Sequence, residues 1–519
     1  MTPAQRRAAL VRARAAVRAA VAATAATVLS LTAACAGPAA APADTVRIVL
    51  PEEPPTLEAC DASLTGTGVV VRSNITEPLA ERNPTSGELE PLLATSWSQT
   101  TPTTWTFALR PGVTFSDGTP FDAAVAAFSI DRAVNSDVGC NVQGYVFGDT
   151  RLEASAPDAT TLTVTSPTPD PILPLRLSFV EMVHPSSAAH EKVREPIGTG
   201  PYRIAAWEAG TRLTLERNPG YWGTPPAFAR AEYEWRSDSS VRAAMVTNGE
   251  ADIATGIGPE DGAGELGISF PNNETSALRI QATEPPLDDI RVRRAIGLVI
   301  DREGVISALF EGDGTPAAQL VPDGVIGYNP DLRPEPFDPA QARALMDEVR
   351  ADGVDLSVPI RFIVRSGLFP RVSEVTQAIQ YQLAQLGLNV EIQMMDSAEG
   401  LKYQQRPFPE ATGPYILMIQ HGNQAGDAAF TVDQYLVSDG YQSSSGTPAL
   451  DAEITAAEAL SGRERQDALA EVFAREPEEI DQYAYIAHMR GMLARSPRVH
   501  YQPDSATGDE MRLAAMSPA

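Results

Sequence analysis

Lysine is almost missing from this chain: Lys192 and Lys402 are the only two in 519 residues, and the other 38 basic groups are arginine. With its many alanines, that skew reads as codon bias rather than as a functional signal. Cations of either kind are scarce against 67 acidic residues, which leaves a formal net charge of −27. Such a chain lacks the clustered basic groups that displace counterions from phosphates, so nucleic acid is excluded as a partner. Histidine occurs five times and never as His-Glu-x-x-His, because His190-Glu191 has no second His four residues on. There is no Gly-x-Ser-x-Gly, no phosphate loop, and no acid pair in a motif that defines a general acid and a base. Nothing marks an enzyme. An apolar content of 43% with 21% charged residues also rules out disorder, collagen and coiled coil. The length alone allows roughly three to four compact units.

What is present begins with a basic, then apolar, N-terminus. Arg6, Arg7, Arg12, Arg14 and Arg18 precede any acid, and an apolar run from Ala19 to Ala34 ends at Cys35. Its 16 residues fall short of the roughly 20 that span a bilayer, and the pattern is that of a secretory signal. Leu31-Thr-Ala-Ala-Cys35 resembles a bacterial lipoprotein box, with residues 1–34 removed and Cys35 lipidated; the alternative is a plain cleaved signal with an incidental Cys. Arg6-Arg7 only partly resembles a twin-arginine signal, so the export route stays open. Loss of the signal takes away five positive charges and no negative one, giving −32 for the remaining 485 residues. Residues 35–44, rich in Ala and Pro, read as a tether. The protein is thus expected outside the cytoplasm, lipid-anchored at the cell membrane. In that oxidising compartment Cys60 and Cys140 read as a structural disulfide, since neither has the basic neighbours of a reactive thiol.

Further along, period-two alternation predicts strands at 45–50, 105–110, 161–165 and 212–216. Pro111-Gly112 predicts a hairpin turning 105–110 back through Val113 and Phe115, and Thr119-Pro120 predicts the start of a helix running to about Val134. Beyond residue 280, helices at 289–299, 301–310, 339–349 and 371–386 alternate with strands at 389–394 and 415–420. That order predicts an α/β unit with a largely parallel sheet. No internal repeat is present.

Four ordered blocks then carry a family resemblance. The first runs from Glu77-Pro-Leu79 and Pro91-Leu-Leu-Ala94 through Trp105-Thr-Phe-Ala-Leu-Arg-Pro-Gly-Val113 to Phe115-Ser-Asp-Gly-Thr-Pro-Phe121. The second is Pro196-Ile-Gly-Thr-Gly-Pro-Tyr202 with Trp207 and Arg217-Asn-Pro-Gly-Tyr-Trp222. The third is Asp289-Ile-Arg-Val-Arg-Arg-Ala-Ile296 with Ile300-Asp-Arg302, and the fourth lies within 379–390. Together they resemble the extracytoplasmic solute-binding proteins of ABC importers, family 5, with the oligopeptide- and dipeptide-binding proteins. The resemblance implies an α/β fold of two lobes, a Venus flytrap that closes by a hinge. Lobe I is expected to be discontinuous, 45–279 plus a return at 488–519, with an extra subdomain, and lobe II to be 280–487. It implies a monomer without cofactor that hands its solute to membrane permease subunits. A peptide is the expected solute; a nickel chelate, an oligosaccharide or a sensing role without transport are the alternatives.

Family peptide binders meet the ligand ammonium with an Asp in a loop after a lobe II strand. Here that loop is Gln420-His-Gly-Asn-Gln-Ala-Gly-Asp427, which makes Asp427 the expected partner, with His421, Gly422 and Asn423 beside it. The family's Trp-Gly at the loop start is His421-Gly422 in this chain, so His421 is a candidate hydrogen-bonding group or chelate ligand. Arg371 falls in the segment that supplies a carboxylate-binding Arg, and Thr56 in a lobe I segment that approaches the ligand. The Gly198-Thr-Gly200 turn and the tryptophans at 97, 105, 207 and 222 read as scaffold.

Overall fold

The computed structural model describes residues 44–519 apart from 63–66, 188, 263, 311, 411 and 412. The signal, Cys35 and all but the last residue of the tether lie outside the described residues. Two long strands, Gly267–Ile280 and Tyr483–Arg495, run antiparallel from Gly267 opposite Ala494 to Arg279 opposite Tyr483. They are the spine of an eleven-stranded sheet. On one side follow Tyr415–Gly422, Pro359–Arg365 and Asn389–Met395; on the other, Ile253–Ala254, Thr45–Leu50, Arg230–Trp235, Arg212–Arg217 and Tyr202–Glu208, while the short Gly314–Pro316 pairs with Tyr483–Arg495 off this path. The three strands at the first edge are mutually parallel, and so are Ile253–Ala254, Thr45–Leu50 and Arg230–Trp235 on the other side. Both spine strands run against their neighbours, so lobe II has a mixed sheet rather than a largely parallel one.

Strand composition explains this placement. Tyr415-Ile-Leu-Met-Ile-Gln is apolar on both faces, as a strand covered from both sides must be. Ile416 and Met418 pack with Ile296 and Ile379, while Leu417 and Ile419 pack with Leu436 and Phe473. Helices begin where an aspartate caps exposed amides. Asp289 accepts from Arg291 N, Asp301 from Gly304 N, and Asp338 from Ala340 N and Gln341 N ahead of Pro339. Part of the acidic excess is therefore spent on helix starts.

The subdomain of lobe I is a four-stranded sheet in the order Ala94–Thr101, Thr104–Leu109, Thr161–Thr165, Glu153–Asp158. Its core holds Phe107, Phe115, Ile130 and Leu162, and Cys60 is bonded to Cys140 across a separation of 80 residues. Residues 113–115 do not turn back on 104–109; Ala94–Thr101 takes that place, and Thr114 bridges Pro120 instead. The chain stays extended through Pro120, with Phe121 N bonded to Val113 O. Asp122 rather than Thr119 therefore caps the helix Ala123–Ile130. Around the expected lobe boundary at 279, Ala277, Leu278 and Ile280 already pack with the residues that follow it. The pairing with Tyr483–Arg495 breaks earlier, between Pro271 and Thr275.

The Gly-Thr-Gly turn serves close approach rather than a left-handed backbone. A Cβ on Gly198 would lie 1.8 Å from Ile75 O. Gly198→Ala should therefore destabilise by about 1–3 kcal/mol, as overpacking does. Gly144→Ala, with nothing within 4 Å of a built Cβ, should stay within about 0.5 kcal/mol of the parent; urea denaturation of both variants checks the pair.

Candidate functional site

The strands Pro359–Arg365 and Tyr415–Gly422 end side by side, and a cavity of about 350 Å³ opens at their carboxyl ends, the usual place for a ligand in an open α/β sheet. The first strand contributes Arg365 and the second the loop from Gln420 to Asp427. Gln404, Gln434 and Gln442 line it from lobe II, Glu274 from the crossing strand, and Tyr145 from lobe I.

Tyr145 joins the two lobes. Gln405 Nε2 donates to its hydroxyl at 3.1 Å and Gln434 Nε2 to its carbonyl at 2.8 Å. Phe430 of lobe II meets Phe179 of lobe I at 5.8 Å between ring centroids. Arg176 of lobe I lies 3.7 Å from Asp433, and Arg82 of lobe I donates to Gln424 O. A second cavity of about 750 Å³ adjoins the first between the lobes and shares Tyr145, Phe430 and Gln434 with it.

Inside the first cavity the polar groups divide into satisfied and unsatisfied ones. Asp427 belongs to the former. Arg465 grips it bidentately, Nε to Oδ2 and Nη2 to Oδ1, both at 2.9 Å, and Ala429 N donates to Oδ1. The carboxylate expected to receive a solute ammonium is neutralised within lobe II by a residue 38 positions away. His421 is also committed: Nε2 is 2.8 Å from Thr431 Oγ1 and its ring meets Tyr435 edge-on at 4.4 Å. Burial pushes its pKa down to about 4. Among the described residues no three His, Cys, Asp or Glu side chains come together to hold a metal ion. Asn423 lines the cavity with Gly422, but its amide donates to Asn273 O and Leu320 O and its oxygen accepts from Thr431.

Two expected residues fall elsewhere. Arg371 precedes the helix Val372–Ala384 with a φ of 60° and does not line this cavity. Thr56 does not line it either, its hydroxyl accepting from Glu58 N.

The unsatisfied groups are different residues. The Arg365 side chain has no ion pair or hydrogen bond among the described residues; its Nε is buried without an acceptor, and burial lowers its pKa. Gln404 donates Nε2 to Gln442, but its buried Oε1 accepts from nothing. Glu274 accepts only from the amides of Asn272 and Gln420, and burial pushes its pKa up to about 7. The rule that selected the 420–427 loop, a strand's carboxyl end, selects Arg365 equally well.

Residues 88–443 match the model of the bacterial extracellular solute-binding proteins, family 5. The chain belongs to that family. It is 31% identical to the glutathione-binding protein GsiB of Salmonella typhi over 313 residues, 57% of this chain and 59% of that relative. The match thus spans under two-thirds of the relative's length. Among solved structures, Helicobacter pylori DppA in complex with peptide STSA superposes with a TM-score of 0.79 at 18% identity, covering 91% of this chain and 98% of the other. NikA of Staphylococcus aureus in complex with Ni(L-His)2 gives 0.74 at 19%, covering 90% and 98%. These family 5 neighbours share the two-lobed fold.

The Asp427–Arg465 pair is the family member's internal brace at this site. Arg465→Ala should cost about 3–5 kcal/mol by stranding a buried carboxylate, and adding Asp427→Asn should recover part of it, as urea unfolding will report.

Proposed function

We propose that the protein is the extracytoplasmic substrate-binding component of an ABC importer, a monomer held to the membrane by lipid on Cys35. It captures a small carboxylate-bearing solute between its lobes, a peptide first of all, and delivers it to permease subunits. The observation that carries this is Arg365. Its Nε is shut from water without an acceptor, its side chain has no counter-charge among the described residues, and its fork fits a carboxylate bidentately. A solute carboxylate supplies what the fold withholds. Gln404 Oε1 then takes an N–H of the solute, as a peptide amide would provide.

The relatives' names point the same way: glutathione for GsiB and peptide STSA for DppA. Tyr145 completes the enclosure from lobe I, so binding favours the closed form through contacts made in that form alone.

Thermal-shift screening of the chain from residue 36 onward tests the reading, with glutathione, di- to tetrapeptides, Ni(L-His)2 and oligosaccharides. A solute at 100 times its Kd stabilises by about 2.7 kcal/mol. Glutathione or a peptide should shift the melt; a shift with the chelate or a sugar alone overturns the peptide assignment. Arg365→Ala should weaken the carboxylate-bearing binder by about 10- to 100-fold and leave the unliganded melt within a few degrees.

A further inference from the structure

Glu274 stands where the two lobes are joined. Residues 272–274 of the first crossing strand have no partner on the second, and Asn273 there takes a φ of 57°. This break is pinned from both lobes. Asn423 of lobe II donates its backbone N and its Nδ2 to Asn273 O at 2.8 and 3.1 Å, and Asn273 Nδ2 donates to Ala506 O of lobe I at 2.8 Å. Glu274 lines both the 350 Å³ cavity on the lobe II side and another of about 210 Å³ on the lobe I side.

Its carboxylate is half-finished. Asn272 Nδ2, at 2.6 Å, and Gln420 Nε2 both donate to Oε2. Among the described residues no donor reaches Oε1 and no cation pairs with the group. We propose that Glu274 Oε1 receives the ammonium group of the solute, so that a zwitterion is held with its positive end on the hinge and its carboxylate on Arg365. The proposal rests on the cavity being the solute site and adds which end of the solute goes where.

The groups around Glu274 leave that role to it. Asp427 is neutralised by Arg465. His421 on the neighbouring strand and His488 on the second crossing strand are both pushed down to about 4 by burial, and so stay uncharged. Asp509, facing the lobe I cavity, is bonded to Tyr501 and pushed up to about 6. Tyr145 and Tyr435 bring no charge at neutral pH. Arg365 is the one free cation among the described residues lining the cavity and makes no ion pair with Glu274, so both ends of a zwitterion find a partner. An ammonium on Oε1 also touches the strand break that must flex when the lobes close, and couples capture to closure without an intermediary.

The sign of the pH dependence follows. Burial raises Glu274 to about 7, and only the ionised form pairs with an ammonium. Affinity should therefore fall as pH drops below 7, about eightfold between pH 7.5 and 6. Binding at pH 6 should release about one proton.

Titration calorimetry decides the matter, with glutathione, Ala-Ala-Ala and the N-acetyl form of each as probes. The wild type should bind a free-amine probe at least about tenfold tighter than its acetylated form, with proton release at pH 6 measured in two buffers of different ionisation enthalpy. Glu274→Gln should bring the two forms to equal affinity and abolish the release. Retained amine preference in Glu274→Gln, or no preference and no proton release in the wild type, overturns the assignment while leaving the cavity reading intact. Absence of binding by all four probes overturns both. Proton release is read on the wild type, so that arm stands even if the variant folds poorly.

Discussion

A guanidinium withdrawn from water must recover its hydrogen bonds from the chain around it, and much of this molecule is arranged to meet that demand. Arg279 is fully buried; it donates to Gln404 O, Gln442 O and Tyr403 O and lies 4.7 Å over the Phe408 ring. Arg293 gathers Leu287 O, Asp288 O and Ile480 O, and Arg302 gathers Tyr485 O, Gly297 O and Glu335 O. Each ties a helix or loop of lobe II to a crossing strand or its approach. An ammonium has three donors and no fork, so lysine does not substitute in such a place. Whatever genomic bias favoured arginine, the fold uses it as interior glue. Arg365 is only partly buried, with its Nε shut from water, yet it receives no carbonyls, and that contrast marks it as a candidate site rather than a brace.

The crossing strands impose the second constraint. Lobe II is inserted between two strands that lie side by side, so the lobes share one continuous sheet and one place to bend. Residues 272–274 interrupt the ladder there, and the loop carrying Asn423 holds the interruption in shape. The loop expected to touch solute lines the cavity and also supports the hinge, positioning Gln420 against Glu274.

How far the sequence revealed this depends on whether a feature is local. Helices capped by Asp289, Asp301 and Asp338, and the strand 415–420, are written in consecutive residues and were readable there. The partner of 104–109 was not, because Val113 and Phe115 alternate as well as residues 94–101 do, and only the position of Pro120 decides between them. The loop at 420–427 was legible from its place after a strand. The fate of Asp427 was not, since Arg465 comes from a helix 38 residues on. Glu274 carried no motif at all; its meaning comes from a missing neighbour on the opposite strand. The family pattern fixes which loop matters, while burial and pairing decide which side chains in it remain free.

The C-terminal tail carries a consequence of another kind. Asn74 donates to Met511 O and accepts from Leu513 N, and Met511, Leu513 and Met516 fill the core around Val46 and Ile48. A chain emerging from the ribosome makes most of lobe I first, yet that lobe lacks these core residues until 511–516 appear. Lobe II, whose strands and helices lie between 272 and 488, is finished in the meantime. The earliest described segment to be synthesised is thus the last to be sealed.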